Sequence, residues 1–148
     1  MTPLARWRAG GTAAIILLGV GSLSWIIANR DPSGVRVARG QAVYAQNCAS
    51  CHGANLEGQP NWRARLPSGR LPAPPHDLTG HTWHHSDKQL FGLVKDGVAG
   101  IAPGYQTDMP AYQGVLSDPD IWAVLSFIES TWPPHIRERQ QRLDRGRD

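Results

Sequence analysis

Five consecutive residues, Cys48-Ala49-Ser50-Cys51-His52, constrain this chain more than any other feature, and they contain its only two cysteines. Two thiols a few residues apart, followed at once by an imidazole, are what covalent attachment of a c-type haem requires. Each thiol bonds one vinyl group, and the imidazole ligates the iron. Two other chemistries use the C-x-x-C spacing. A redox dithiol is expected in a βαβ context, and no such context is visible. A structural zinc site needs a second pair of ligands, available only from scattered histidines. The fold must be built around this segment.

At 148 residues the chain has room for one ordinary domain plus accessories. Its 41% hydrophobic content and six tryptophans suit a folded core, not a disordered chain. The formal charge of +3 is spread unevenly: residues 1–30 carry +3, residues 31–134 sum to −2, and the tail from His135 contributes +2. The domain itself is close to neutral, and no basic stripe runs through it, so no nucleic-acid partner is expected. With Lys88 and Lys95 as the only lysines, a lysine-rich docking ring is not expected either.

Between Arg8 and Arg30 lie 21 uncharged residues, including Ala13-Ala14-Ile15-Ile16-Leu17-Leu18 and Trp25-Ile26-Ile27-Ala28. As a helix this run would be about 31 Å long, matching a hydrocarbon core of about 30 Å. Arg6 and Arg8 precede it, which by the positive-inside rule puts the N-terminus in the cytoplasm and the domain across the membrane. Trp7 and Trp25 sit near its ends, where interfacial rings are favoured. The competing reading is a cleaved secretory signal. The apolar run is long for that role, and Ser22-Leu23-Ser24 is the only weak cleavage site. Either way the domain is exported. The expected division is a membrane anchor over 1–30, a haem domain over 31–134 and a charged tail over 135–148.

Asn29 to Gly34 reads as a short linker. A helix is expected from about Val35 to Asn47, with Val37, Gly40, Tyr44 and Cys48 on one face. Residues 58–82 hold prolines at 60, 67, 72, 74 and 75 and cannot form one regular element; around a haem, this segment would wrap the edge. Ser86-Asp87-Lys88-Gln89 fits a capping box, with Leu90, Leu93 and Val94 inside and Gly97 as a stop. Ser117-Asp118-Pro119-Asp120 starts a last helix, which presents Ile121, Val124, Leu125 and Ile128 and ends before Pro133-Pro134. The residues from Arg137 onward read as a solvated or frayed helix. The fold class is all-α.

An iron held by His52 needs a sixth ligand or an open site. Met1 and Met109 are the only methionines, so a thioether ligand would be Met109, on a loop backed by Pro110. Methionine more often fills a core gap, but Asp108 and Pro110 as neighbours argue against a buried helical position. The cluster His81-x-x-His84-His85 reads as a solvated loop, with a propionate contact, a pH-sensitive partner contact, a metal site or a replacement sixth ligand as alternatives.

Three segments together resemble the class I cytochromes c, of the small bacterial single-haem type. They are the helix with Gly40 and Tyr44 leading into Cys48-x-x-Cys51-His52-Gly53, the loop Met109-Pro110-Ala111-Tyr112, and the helix Ile121–Ile128. The resemblance covers roughly residues 35–132. It implies an all-α globule around one covalently bound haem c, preceded here by the apolar N-terminal run. Cys48 and Cys51 would be the thioether attachments, and His52 and Met109 the axial ligands. The first and last helices would cross, Gly40 and Tyr44 meeting Val124 and Phe127. The proline-rich segment and His76, His81, His84 and His85 have no counterpart in the mitochondrial pattern. Trp62, Trp83, Tyr105 and Tyr112 are the candidates for bonding propionates.

The resemblance implies a one-electron carrier with no catalytic residue and no small-molecule substrate. It would be tethered to the bacterial cytoplasmic membrane and face the periplasm. A quinol-oxidising complex would lie upstream and a haem-copper oxidase or other reductase downstream. The alternatives are a haem subunit of a larger dehydrogenase or oxidase, an open-site ligand-binding haem protein, and a metal-handling module built on the histidine cluster.

Overall fold

The computed structural model describes residues 32–145. The chain divides into two units, Met1–Gly34 and Val35–Asp148, and the second carries the C-x-x-C-H segment. The apolar run expected to span a membrane lies outside the described residues. Among those that are described, no helix is long and apolar enough to cross one. Every regular element among them is helical: α1 (Pro32–Asn47), α2 (Ala49–His52), a 3-10 turn (Thr82–His84), α3 (Asp87–Ile101), α4 (Asp118–Ser130) and α5 (Pro134–Arg145).

The helix ends follow local chemistry. α1 begins three residues before the expected Val35, at Pro32. Proline suits a first helical position, because its missing N–H would be unpaired there anyway. The Ser86 side chain accepts from the Gln89 backbone N–H, and the Gln89 side chain accepts from the Ser86 N–H, which completes the capping box at α3. Gly97 breaks α3 with φ of 73°, a left-handed value open to glycine. Ser117 caps α4, with Pro119 in its first turn and Asp118 and Asp120 facing the positive end of the helix dipole.

Helix α4 is the centre of the core. Its Val124 and Ile128 pack with Val43, Tyr44, Leu56, Trp132 and Ile136, while Ile121 and Leu125 pack with Leu90 of α3. Leu116 touches both clusters. The expected crossing of α1 and α4 is present, and its closest point is the Ala123 carbonyl. A Cβ on Gly40 would overlap that oxygen and lie 2.9 Å from Phe127 Cβ. The Tyr44 and Phe127 rings meet at 5.5 Å. Gly40→Ala must therefore push the two helices apart, at a cost of roughly 1–3 kcal/mol. The expected result is an unfolding midpoint lower by about 5 °C or more; thermal melts of the haem-loaded protein check it, and an unchanged midpoint would refute the close crossing.

The charged tail differs from expectation. It forms α5, which docks instead of fraying. Ile136 and Gln140 are 8% and 2% exposed, and the Arg139 guanidinium lies 4.9 Å over the Trp83 ring. Asp144 accepts from the Asp87 N–H at 2.8 Å, so α5 caps the start of α3. Gln140 Nε2 donates to Asp87 Oδ1.

A proton is held at this junction. Burial, and next the negative charge of Asp87, pushes the Glu129 carboxyl up to about 8, with Asp144 adding to the effect and Arg36 opposing it. In the unfolded chain the same carboxyl ionises near its ordinary value of 4.5. The folded state thus binds the extra proton between these values, and stability falls as pH rises from about 4.5 to about 8. The slope is at most about 1.4 kcal/mol per pH unit for one proton. Glu129→Gln should flatten that slope in unfolding curves measured at pH 5, 6.5 and 8; a slope retained by the variant would place the proton elsewhere.

Candidate haem site

Cys48 lies between α1 and α2 at the N-cap of α2, and Cys51 and His52 close the single turn of α2, with the Cys51 and His52 N–H groups donating to the Cys48 carbonyl at 3.1 and 2.9 Å. Both thiols are free, Cys48 half-buried and Cys51 exposed. Burial, then the neighbouring Cys51, pushes the Cys48 thiol up to about 11. A reactive redox dithiol requires the opposite shift, so this environment does not suit that alternative. Nor do three or more His, Cys, Asp or Glu side chains converge on a metal-sized point among the described residues.

The segment from Gly53 to His81 contains no regular element, and its course is set by backbone bonds to the turn it follows. Gly58 N–H donates to the His52 carbonyl at 2.7 Å, and Gln59 N–H donates to Ala73 O at 2.9 Å. This brings Pro72–Pro75 alongside α2. Prolines carry no N–H and hold φ fixed, so the strap is stiff and its carbonyls have few partners of their own. Pro74 O takes a hydrogen bond from His52 Nδ1 at 2.8 Å. The bond fixes the tautomer: with Nδ1 protonated, Nε2 is the nitrogen left to coordinate. Burial pulls the His52 pKa below its ordinary value, against the Pro74 bond that raises it, which favours the neutral ring that metal ligation requires.

Met109 lies half-buried on the segment joining α3 and α4, its N–H donating to Thr107 Oγ1 at 3.0 Å. The residues around it are pinned on three sides. Asp108 pairs with Arg70 of the proline-rich segment at 2.9 Å. Ala111 packs on Gly97, where a Cβ would come within 3.3 Å of the Ala111 Cβ. Tyr112 N–H donates to Val94 O at 3.0 Å, and Tyr112 Oη donates to Asn47 O at 2.6 Å, beside Cys48. Burial, then the proximity of Cys48 and Cys51, raises the Tyr112 pKa. The methionine loop is thereby closed onto the cysteine segment.

Among the propionate candidates, Tyr112 is engaged with Asn47 O. Trp62 lies in a shallow pocket with Asn61, Arg63 and Ala64, its ring stacked on His81 at 5.4 Å. Trp83 Nε1 is a buried donor with no partner among the described residues. An orphaned buried donor is costly, and the acidic edge of a macrocycle is a suitable acceptor. Two free thiols on one helical turn, an imidazole with Nε2 spare and an unsatisfied indole N–H fit a covalently attached haem.

Two features of the site carry no residue-level signature in the sequence: the Pro74 carbonyl, and the position of His76. The His76 ring stacks on that of His52 at 4.1 Å and 23°. Burial, then the nearby His52 and His81, pushes its pKa down to about 3. His81 and His84 are exposed, their rings resting on Trp62 and Trp83.

Comparison with known proteins points to the same cofactor. The family model described as "Cytochrome c" matches residues 37–132. Cytochrome c-555 of Prosthecochloris aestuarii is 28% identical over 92 residues, 58% of this chain and 93% of that protein. The Cbb3-type cytochrome c oxidase subunit FixP of Bradyrhizobium sp. (strain ORS 278) is 29% identical over 99 residues, 66% of this chain but 28% of the relative. Subunit CcoP of Azospirillum brasilense is 28% identical over 102 residues, 68% of this chain and 30% of the relative. The chain thus spans nearly all of the small cytochrome and under a third of the oxidase subunits. No solved structure gives a significant match. The chain belongs to the cytochrome c family, whose covalently bound haem c answers the paired thiols of Cys48 and Cys51.

Proposed function

We propose that the protein is a membrane-tethered, periplasm-facing carrier of single electrons, with Cys48 and Cys51 as thioether attachments and His52 and Met109 as axial ligands. When bound, the haem supplies one-electron chemistry at its iron. The chain's part is to hold both ligands and exclude water. Pro74 O orients His52. The observation that carries the reading is the Tyr112–Asn47 bond, which fastens the Met109 loop to the attachment segment. A thioether held there leaves no coordination position for a substrate, and thioether ligation inside an apolar shell favours the ferrous state. The apolar run of residues 9–29 supports a tether, which raises local concentration at membrane partners without new contacts. A quinol-oxidising complex as donor and a haem-copper oxidase or other reductase as acceptor fit this placement.

Visible and near-infrared spectra in both redox states test the reading. A low-spin spectrum with a sulfur-to-iron charge-transfer band in the ferric protein is the expected result; rapid carbon monoxide binding by the ferrous protein at neutral pH would overturn it in favour of an open site. A second reading, a haem subunit of an oxidase complex, draws support from the oxidase subunits FixP and CcoP among the relatives. Co-purification of a partner after mild detergent extraction distinguishes it from a free carrier.

A further inference from the structure

The proximal side of the site contains a polar group that neither ligation nor attachment uses. His76 is fixed on every side. Its N–H donates to Leu56 O at 2.8 Å, and its carbonyl accepts from Trp132 Nε1 at 2.8 Å. Its Nδ1 shares a hydrogen bond of 2.8 Å with Thr82 Oγ1. Its ring lies nearly parallel to that of His52, 4.1 Å away, with Tyr44 edge-on at 6.4 Å. Thr82 is itself 7% exposed. The chain thus commits an imidazole and a buried hydroxyl to one position, where an aliphatic side chain of similar volume would fill the space. The bonds to Leu56 and Trp132 fix the main chain of His76, and the bond to Thr82 holds its ring.

We infer that His76, held by Thr82, is a positioning residue for the His52 imidazole and keeps the reduction potential below the value an aliphatic side chain there would give. Pro74 and His76 lie two residues apart on one strap, so His52 is held at its edge by a carbonyl and across its face by a ring. An imidazole gripped on both edge and face cannot turn about its bond to the metal, and ring orientation is a lever on metal electronics. The ferric state carries one more positive charge than the ferrous state. A polarisable ring held against the ligand stabilises that charge better than hydrocarbon does, because induced polarisation always favours the more highly charged state and the surroundings are of low dielectric. The inference rests on the proposed ligation by His52.

The experiment compares the haem-loaded full chain with His76→Leu, Thr82→Val and Thr82→Ser, by potentiometric titration and by electron paramagnetic resonance of the ferric form. His76→Leu should raise the midpoint potential and change the low-spin g-anisotropy, which reports the axial ligand orientation. Thr82→Val, which leaves the ring present but unbonded, should move both readouts in the same direction by less. Thr82→Ser should restore both. An unchanged or lowered potential in the variants, with unchanged g-values, would overturn the inference, even where stability falls. If His76→Leu yields too little holoprotein, Thr82→Val against Thr82→Ser decides alone. Failure of the underlying ligation is seen separately, as a ferric wild-type protein that is not low-spin.

Discussion

Cys48→Ala combined with Cys51→Ala is expected to leave almost no haem-loaded protein, a fall on the order of tenfold or more because cofactor attachment and folding are coupled. Both thiols lie on one helical turn, and nothing else in the chain can form a thioether with a vinyl group, since these are the only cysteines. The consequence extends beyond attachment. Residues 53–81 and the Met109 loop have no repetitive structure, so a bound macrocycle is the body these segments would pack against. Without it the buried Trp83 N–H stays unsatisfied and the loops have little apolar surface to cover. Haem-stained denaturing gels measure covalent attachment, and circular dichroism measures the helix that survives. Full covalent loading in the double variant would refute the assignment. Each single variant should retain one bond, hence an intermediate yield.

Met109→Ala should abolish the sulfur-to-iron charge-transfer band and lower the potential by a sizeable part of the roughly 0.8 V range that axial ligation covers. Loss of the thioether removes a donor that favours ferrous iron and opens a coordination position. The variant should therefore gain carbon monoxide binding in the ferrous form. The fold should survive: the loop remains tied by Tyr112 to Asn47 and Val94 and by Asp108 to Arg70. An unchanged band would mean that Met109 is not the ligand; a wild-type ferric protein that is low-spin but lacks the band would point to a histidine instead. Tyr112→Phe, which removes only the bond to Asn47, should weaken the same band without abolishing it.

The parts of this fold that were legible in the sequence are those encoded in short spacings. Ser86 and Gln89 announce α3, Ser117 and Pro119 announce α4, and Gly40 with Tyr44 anticipates a close helix crossing. Each depends on one side chain acting within a turn of itself, or on a helical face. The attachment motif is legible for the same reason. The Pro74 carbonyl was not, because a backbone oxygen has no letter of its own; the prolines indicate only that the strap is irregular. The place of His76 is likewise unmarked, since its neighbours His52 and Trp132 come from other parts of the chain. The tail misled through composition. Its charges dominate, yet Ile136, Gln140 and Leu143 recur at helical spacing, and the buried middle member is a glutamine bonded to Asp87. A hydropathy criterion passes over a face whose centre is polar.

The contacts that complete the site also impose an order in time. α1 finds its partners far along the chain: Arg39 bonds Asp120 across 81 residues, and Asn47 receives Tyr112 across 65. Closing loops of that length is slow compared with forming a local turn. The turn bearing Cys48, Cys51 and His52 needs only its own backbone, so it can take shape while the helices that will cover it are still apart. Haem attachment within that interval would meet Cys48, half-buried once the fold is complete, before its cover forms, and Cys51, which the finished fold still leaves exposed. A variant that speeds the docking of α1 on α4 would shorten the interval and lower the haem yield even as it raised stability.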